Sequence, residues 1–234
     1  MDWTGKIVLI TGASAGIGEA TARAVDARGA VPVLAARRGD LLLKLADELP
    51  GSMPVVVDVT TPDGPGAMVT AALAAHGRVD VLVNNAGQGL HVPLDQVVLD
   101  DFRAVLELNV VAALGVMQAV LPAMRAQGGG VIVNVSSGTS RRTIPGLGAY
   151  ASTKSALNML SAVAREEWAP DGIVVSNVYP TLTATDFHEN LRAGAFDTGS
   201  RPPMAADTAE NVAQVIVETV ENGDAERVLT PGLR

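Results

Sequence analysis

Short apolar runs alternate along the chain with longer segments of helical pattern. The short runs are apolar almost throughout, which is typical of strands in a parallel sheet that helices cover on both faces. They predict seven strands, at residues 6–10, 31–36, 54–58, 79–83, 130–135, 172–178 and 226–230. The segments between them predict helices at about 16–28, 39–48, 66–76, 100–126, 150–168 and 207–221. This order predicts an α/β fold, a doubly wound parallel sheet of about seven strands, in one domain over residues 1–234.

The first predicted strand leads into a glycine-rich loop, TGASAGIG at residues 11–18, and then into an alanine-rich helix. Gly12, Gly16 and Gly18 follow the spacing G-x-x-x-G-x-G. Glycine allows a tight turn and a close approach of the backbone to a ligand, and the N-terminus of the following helix attracts an anion. This context predicts a Rossmann-like dinucleotide site. The alternative is a loop that serves only as a tight connection.

Two arginines, Arg37 and Arg38, follow the second predicted strand. An acidic residue at this place would bind the ribose 2′-hydroxyl of NAD, and none is present. A guanidinium suits a phosphate, so we expect the 2′-phosphate of NADP(H) here, with Arg37 as the better candidate. The alternative is that both arginines begin a solvated helix.

Tyr150 and Lys154 lie four residues apart in a predicted helix, so both side chains project from the same face. An ammonium close to a phenol stabilises the phenolate and lowers the pKa of the phenol. The pair is then able to give a proton to a developing alkoxide or to take one from an alcohol. Ser136 and Ser137 end an apolar run shortly before the pair. This spacing alone is common on surface helices. The other motifs decide whether the two residues form a catalytic pair or share a helix face by chance.

These motifs together resemble the short-chain dehydrogenase/reductase family, in its short single-domain form with a Tyr-x-x-x-Lys active site. The resemblance covers nearly the whole chain and includes the NNAG sequence at residues 84–87. It implies that the cofactor is bound by Gly12, Ser14, Gly16, Ile17, Gly18, Arg37, Arg38, Asp58, Val59, Asn85, Ala86, Gly87, Tyr150, Lys154, Pro180, Thr183 and Thr185. It also implies four catalytic residues, Asn109, Ser137, Tyr150 and Lys154.

The resemblance assigns a role to each of these side chains. Tyr150 is the general acid for carbonyl reduction and the general base for alcohol oxidation. Lys154 lowers the pKa of Tyr150 and holds the nicotinamide ribose. Ser137 forms a hydrogen bond with the substrate oxygen, Asn109 holds a water that links Lys154 to solvent, and Asp58 contacts adenine. The alternatives are a strand-end cap for Ser137 and a buried structural amide for Asn109.

One segment departs from the family pattern. The family usually has Pro-Gly-x-Val-x-Thr after the sixth strand, whereas this chain has Pro180 followed by TLTAT at residues 181–185. Thr181 replaces the glycine and Thr183 replaces the valine. Thr185, which by resemblance contacts the nicotinamide carboxamide, is kept. The side chain of Thr181 beside the substrate leaves the identity of the substrate open.

By resemblance, the polar and irregular residues 183–207 form a substrate lid, which often orders over a bound ligand. Its aromatic and apolar members indicate a partly hydrophobic substrate; they include Phe187, His188, Leu191 and Phe196. Residues 138–148 are expected to form the opposite wall. The alternative for the lid is an ordinary surface excursion.

The 234 residues carry a formal net charge of −8 and include no cysteine. The charge argues against nucleic acid and anionic membrane surfaces as partners. The three histidines, His76, His91 and His188, have no metal-binding spacing, so no metal is expected. No signal-like segment opens the chain and no apolar run reaches the length of a membrane span, so we expect a cytoplasmic protein.

The motifs together predict an NADP(H)-dependent oxidoreductase that transfers a hydride between nicotinamide and a small-molecule carbonyl or secondary alcohol. One alternative is an NAD-dependent alcohol dehydrogenase of the same fold. Others are a non-catalytic cofactor-binding regulator and a relative that uses the cleft for elimination or epimerisation. The resemblance also implies a homodimer through helices 100–126 and 150–168, or a homotetramer.

Overall fold

The structure is a computed structural model that describes residues 1–195 and 206–229. The strands of its central sheet are β1 (Ile7–Thr11), β2 (Val31–Ala36), β3 (Met53–Val56), β4 (Val81–Asn84), β5 (Gly130–Val135), β6 (Ile173–Tyr179) and β9 (Glu226–Val228). These seven strands are parallel and lie in the order β3-β2-β1-β4-β5-β6-β9. A separate pair joins β7 (Thr183–Ala184) to β8 (Asp207–Thr208). The predicted seven-stranded, doubly wound sheet is confirmed.

Helices cover both faces of the sheet. They are α1 (Gly16–Asp26), α2 (Gly39–Glu48), α3 (Gly64–His76), α4 (Leu99–Leu106), α5 (Ala113–Ala126), α6 (Gly148–Trp168) and α7 (Ala209–Asn222). Buried side chains of α1, α2 and α7 form one apolar cluster with the sheet. Those of α3, α5 and α6 form a second cluster on the opposite face.

Strand β1 shows why the strands are apolar without alternation. Val8 and Ile10 belong to the cluster on the first face, whereas Ile7 and Leu9 belong to the cluster on the second. Successive side chains of a strand point to opposite faces, so a strand covered on both sides needs apolar residues at every position.

Element boundaries differ from the predicted ones in a few places. The third strand was predicted at 54–58, but β3 ends at Val56 and leaves Asp58 in the following turn, where its carboxylate accepts hydrogen bonds from Thr60. Helix α3 begins at Gly64, two residues before the predicted start, and carries a proline in its first turn, where a missing N–H costs nothing. The last strand ends at Val228; Thr230, the predicted end, lies outside the described residues, as does Phe196 of the predicted lid.

The predicted helix 100–126 contains a wide π-helical turn, Glu107–Ala112, between α4 and α5. Asn109 lies in this turn and is buried. The expectation that no apolar run reaches the length of a membrane span was wrong for this helical run. The whole stretch Leu99–Ala126 is long and apolar enough by length and composition alone, a test that the core helices of globular proteins also pass. Val116 and Val120 of α5 pack in the core cluster on the sheet.

Candidate active site

A cleft of about 1570 Å³ opens at the carboxyl ends of the central strands. The strand order reverses between β1 and β4, which is where doubly wound sheets bind ligands. The predicted site residues that line the cleft are Gly12, Ser14, Gly16, Ile17, Arg37, Arg38, Asp58, Val59, Asn85, Ala86, Gly87, Ser137, Tyr150, Lys154, Pro180, Thr183 and Thr185. Two predicted residues, Gly18 and Asn109, lie behind its wall.

Gly18 gives the glycine loop its compact shape. A Cβ at Gly18 would collide with the Gly12 carbonyl oxygen and lie 2.6 Å from Asn85 Nδ2. Asn85 Nδ2 donates to the carbonyl oxygens of Thr11, at 3.0 Å, and Gly12, at 3.3 Å. Thr11 Oγ1 in turn accepts from the backbone N–H groups of Asn85 and Ala86. Gly18 therefore shapes the loop from behind, and Asn85 braces it from the end of β4.

The start of α1 fits the pyrophosphate of a dinucleotide. Ala15 precedes the helix, and its methyl group cannot cap the backbone N–H groups of the first turn. Gly16 has a φ of +56°, a left-handed conformation that favours glycine, and a Cβ there would lie 3.1 Å from Thr185 Cγ2. N–H groups without a side-chain cap, the positive end of the helix dipole and a loop of small residues together make a suitable anion site.

The two arginines after β2 have different surroundings. Arg38 donates to Ser14 Oγ from Nε, at 3.1 Å, and from Nη2, at 2.9 Å. Arg37 is 68% exposed and lies 3.9 Å from Asp58 Oδ2. Burial alone would raise the pKa of Asp58, but hydrogen bonds from Thr60 and the charge of Arg37 outweigh it and lower the pKa. The cleft wall therefore carries two cations beside an ionised carboxylate.

Tyr150 and Lys154 are both buried, at 6% and 4% exposure. Burial raises the pKa of Tyr150 to about 12, partly offset by a hydrogen bond with the Ser137 side chain. This direction is opposite to the lowering expected from Lys154, because the cost of burying a phenolate dominates. Burial lowers the pKa of Lys154 to about 8, and its Nζ donates to the Val135 carbonyl oxygen at 2.9 Å. A lysine of this pKa exchanges its proton near neutral pH.

Ser137 begins a short helical turn, Gly138–Arg141, and caps it. Its Oγ accepts from the backbone N–H of Thr139 at 3.2 Å and from Thr139 Oγ1 at 2.9 Å. Ser137 also lines the cleft. It therefore has both a capping role, which was the alternative to a catalytic role, and a position at the site. Asn158 of α6 accepts from Ser136 Oγ at 2.5 Å, which fixes the end of β5 against the helix that carries Tyr150.

Asn109 bridges the π-helical turn to two other elements. Its Oδ1 accepts from the Gln88 N–H at 2.9 Å, and its Nδ2 donates to the Gln88 carbonyl oxygen and to Thr153 Oγ1, both at 3.0 Å. A Cβ at Gly87 would lie 3.1 Å from Asn109 Oδ1 and 3.3 Å from Lys154 Nζ. The amide therefore lies next to the lysine while it holds the loop after β4 against α6.

The segment that departs from the family pattern also borders the cleft. Thr181 Oγ1 is buried and has no hydrogen-bond partner among the described residues. Thr183 Oγ1 donates to the Thr181 carbonyl oxygen at 3.1 Å, and Thr185 Oγ1 accepts from the Phe187 N–H at 3.4 Å. Thr183, where the family has an apolar valine, thus forms a hydrogen bond within its own turn.

No motif in the sequence assigns a role to His91, yet the centroid of its ring lies 6.1 Å from the centroid of the Tyr150 ring. Phe187, identified only as a lid residue, lies 5.9 Å from the same ring. Both residues line the cleft. Their aromatic character was visible in the sequence, but no motif connects them to Tyr150. Among residues 1–195 and 206–229, no group of three or more His, Asp or Glu side chains is placed to hold a metal ion.

Comparisons with known proteins agree with this geometry. A family model described as short chain dehydrogenase matches residues 6–195. Carbonyl reductase (NADPH) 2 of Sus scrofa is 39% identical over 186 residues, which make up 79% of this chain and 75% of that protein.

Two solved structures are similar over almost the whole chain. The 3-ketoacyl-(acyl-carrier-protein) reductase from Brucella melitensis, complexed with NADH, superposes with a TM-score of 0.88 at 27% identity, covering 98% of each chain. The alcohol dehydrogenase from the archaeon Thermococcus sibiricus, complexed with 5-hydroxy-NADP, has a TM-score of 0.86 at 28% identity and covers 98% of this chain and 97% of its own. With its motifs, its fold and these similarities, the chain belongs to the short-chain dehydrogenase/reductase family of oxidoreductases.

Proposed function

We propose that the protein is an NADP(H)-dependent oxidoreductase that interconverts a small-molecule carbonyl compound and a secondary alcohol, with Tyr150 as general acid and base. The observation that carries the proposal is that Tyr150, Lys154 and Ser137 line one cleft, next to a glycine loop shaped for a dinucleotide. The similar structures complexed with NADH and 5-hydroxy-NADP support the class of cofactor.

In the direction of reduction, the Tyr150 phenol donates its proton to the substrate oxygen as the carbonyl carbon becomes an alcohol carbon. The Ser137 hydroxyl donates a hydrogen bond to the same oxygen and stabilises the negative charge that develops there. The bound nicotinamide supplies the hydride. In alcohol oxidation the tyrosinate, which the raised pKa of Tyr150 makes scarce at neutral pH, takes the hydroxyl proton instead.

Lys154 restores the proton that Tyr150 gives up. Its lowered pKa, about 8, lets the ammonium release a proton at moderate cost near neutral pH. Asn109 lies beside this lysine and is fixed by Gln88 and Thr153. We expect a water held near Asn109 to connect Lys154 with solvent.

The preference for NADP(H) rests on the two arginines after β2. Arg38 and Ser14 are already hydrogen-bonded, so a 2′-phosphate placed there would find a guanidinium and a hydroxyl held together. Arg37 would supply a second charge from the exposed side. The remaining predicted cofactor residues, from Gly12 on the loop to Thr185 after β6, would hold the pyrophosphate, adenine and nicotinamide.

A side-by-side titration of the purified protein with NADPH and NADH, followed by ligand fluorescence, tests the proposed preference without a known substrate. We expect NADPH to bind at least about tenfold more tightly than NADH, a difference of about 1.4 kcal/mol. Equal or tighter binding of NADH would contradict the preference and favour an NAD-dependent alcohol dehydrogenase.

We also propose a homodimer, as the family resemblance implied. Three apolar residues are exposed: Val111 in the π-helical turn, at 53%, and Met159 and Val163 on α6, at 66% and 46%. A second copy would cover this surface. Light scattering coupled to size-exclusion chromatography should give twice the monomer mass, and Met159→Glu should lower that mass. We further propose that the protein is cytoplasmic, that residues 1–234 form one domain, and that residues 183–207 form a substrate lid.

A further inference from the structure

Four aromatic rings form a closed cycle at the candidate acid. The His91 ring lies 6.1 Å from Tyr150 and 5.7 Å from His188, measured between centroids. The Phe187 ring lies 5.9 Å from Tyr150 and 5.5 Å from His188, the latter edge-on. All four residues line the cleft. A substituent on the carbon that reacts at Tyr150 therefore meets aromatic rings on this side.

Backbone hydrogen bonds join the two segments that carry these rings. The backbone N–H of His91 donates to the Ala193 carbonyl oxygen at 3.1 Å, and the backbone N–H of Arg192 donates to the Gly89 carbonyl oxygen at 2.8 Å. A Cβ at Gly89 would lie 3.1 Å from Phe187 Cε1, so the segment that carries Phe187 is packed tightly on the loop that carries His91. Preorganised rings lose little freedom when a ligand binds, which favours affinity.

The two imidazoles present no charge at neutral pH. Burial lowers the pKa of His91 to about 4, with the neighbouring His188 as a second cause. Burial also lowers the pKa of His188, which favours its neutral form. Neutral rings attract another ring through offset or edge-to-face contacts but give a carboxylate no compensating charge. Ile144 and Leu147 line the other wall of the cleft and add apolar surface.

We propose that His91, Phe187 and His188 determine the substrate specificity of the site, and that the site takes ketones with an aromatic ring on the carbonyl carbon, or the corresponding aryl alcohols. The inference rests on the proposed function of the same cleft. It adds a substrate class, an aryl carbonyl compound, to the reaction type.

Two ketones of equal carbon number test the inference: acetophenone, which is planar and aromatic, and cyclohexyl methyl ketone, which is not. kcat/KM is measured for both with the nucleotide that binds more tightly, in the wild type and in Phe187→Leu, which keeps the apolar bulk but removes the ring. We expect Phe187→Leu to lower the aryl-to-alkyl ratio of kcat/KM by about three- to tenfold. The ratio matters because the unequal intrinsic reactivity of the two ketones cancels when variants are compared.

Phe102→Leu is the matched control. Phe102 packs behind Tyr150 in the same apolar cluster but does not line the cleft. This variant should leave the ratio within about twofold of wild type, and His188→Leu should lower it. A ratio unchanged in Phe187→Leu would overturn the inference, as would a wild type that reduces the cyclohexyl ketone but not acetophenone. If neither ketone is reduced although the nucleotide binds, the proposed reaction fails together with the inference.

Discussion

Arg38 holds Ser14 through two hydrogen bonds, 3.1 and 2.9 Å from the guanidinium nitrogens to the hydroxyl oxygen. The contact ties the end of β2 to the glycine loop across one end of the cleft. Arg37, the stronger candidate from the sequence, is exposed and pairs only loosely with Asp58, at 3.9 Å. We therefore expect both arginines to contribute to the choice of cofactor.

Arg37→Ala and Arg38→Ala should each weaken NADPH binding by about tenfold or more, because a charge-assisted hydrogen bond contributes about 1.5–3 kcal/mol. NADH lacks the 2′-phosphate, so its affinity should change by less than about threefold. Fluorescence titration of both nucleotides measures the effect. Arg103→Ala is the control, since Arg103 pairs with Asp100 outside the cleft. Equal weakening of NADH and NADPH in an arginine variant would mean that the arginine does not contact the phosphate.

Tyr150→Phe should lower kcat by a factor of about 10²–10⁴, the usual contribution of a general acid, and leave the Kd for NADPH nearly unchanged. The buried ring remains, so the fold should hold. Tyr179→Phe removes the phenol of another buried tyrosine, which donates to Glu226 at 2.8 Å and does not line the cleft; it should retain turnover. Steady-state kinetics measures kcat for both variants, and nucleotide titration measures their Kd for NADPH. A Tyr150→Phe enzyme that keeps most of its rate would remove Tyr150 as the acid.

Gly18→Ala should weaken nucleotide binding by more than tenfold and destabilise the protein by about 1–3 kcal/mol, because the added methyl group overpacks the loop against Gly12 and Asn85. Gly66→Ala is the matched control: no atom lies within 4 Å of its Cβ position in α3. The control should gain up to about 1 kcal/mol from helix propensity. Urea unfolding and NADPH titration measure both variants. Normal nucleotide affinity in Gly18→Ala would show that the loop has room to relax.

His91 should make stability depend on pH. Burial holds its pKa at about 4 in the fold, against 6.5 for an ordinary histidine. Between these values the unfolded chain binds a proton that the folded chain does not, so the free energy of unfolding falls as the pH drops from 6.5 to 4. In His91→Gln this contribution is lost, and urea unfolding should show a flatter pH profile in that window. Above pH 7.5 the two profiles should run parallel; parallel curves throughout would mean that His91 does not titrate as described.

The strands were predictable from the sequence because a strand that is buried on both faces is apolar at every position. Val8 and Ile10 face one helical layer and Ile7 and Leu9 face the other, so the whole strand must be apolar. The residues at the strand ends were predictable too, since the parallel strands bring them to one edge. The π-helical turn was not, because the residues around Asn109 suit an α-helix equally well.

The surroundings of the predicted side chains were less accessible from sequence. The Tyr150–Lys154 spacing placed both residues on one helix face, but the pKa of Tyr150 depends on burial by segments distant in the chain. Likewise His91 and Phe187 are almost a hundred positions apart, and both lie near Tyr150 because the loop after β4 and the segment after β7 pack together. Non-local packing of this kind has no local pattern.

The π-helical turn at Glu107–Ala112 sets the rotational phase of the helical run. Each residue of an α-helix advances by about 100°. The one extra residue in a wide turn therefore changes the direction in which all later side chains of the helix point. Ahead of it Val105 packs beside Tyr150, and beyond it Val116 and Met117 face the sheet. The turn thus lets one helical run pack both beside Tyr150 and on the sheet, which a regular helix of this sequence would not reach together. Asn109 lies in the turn, where the direction of the side chains changes.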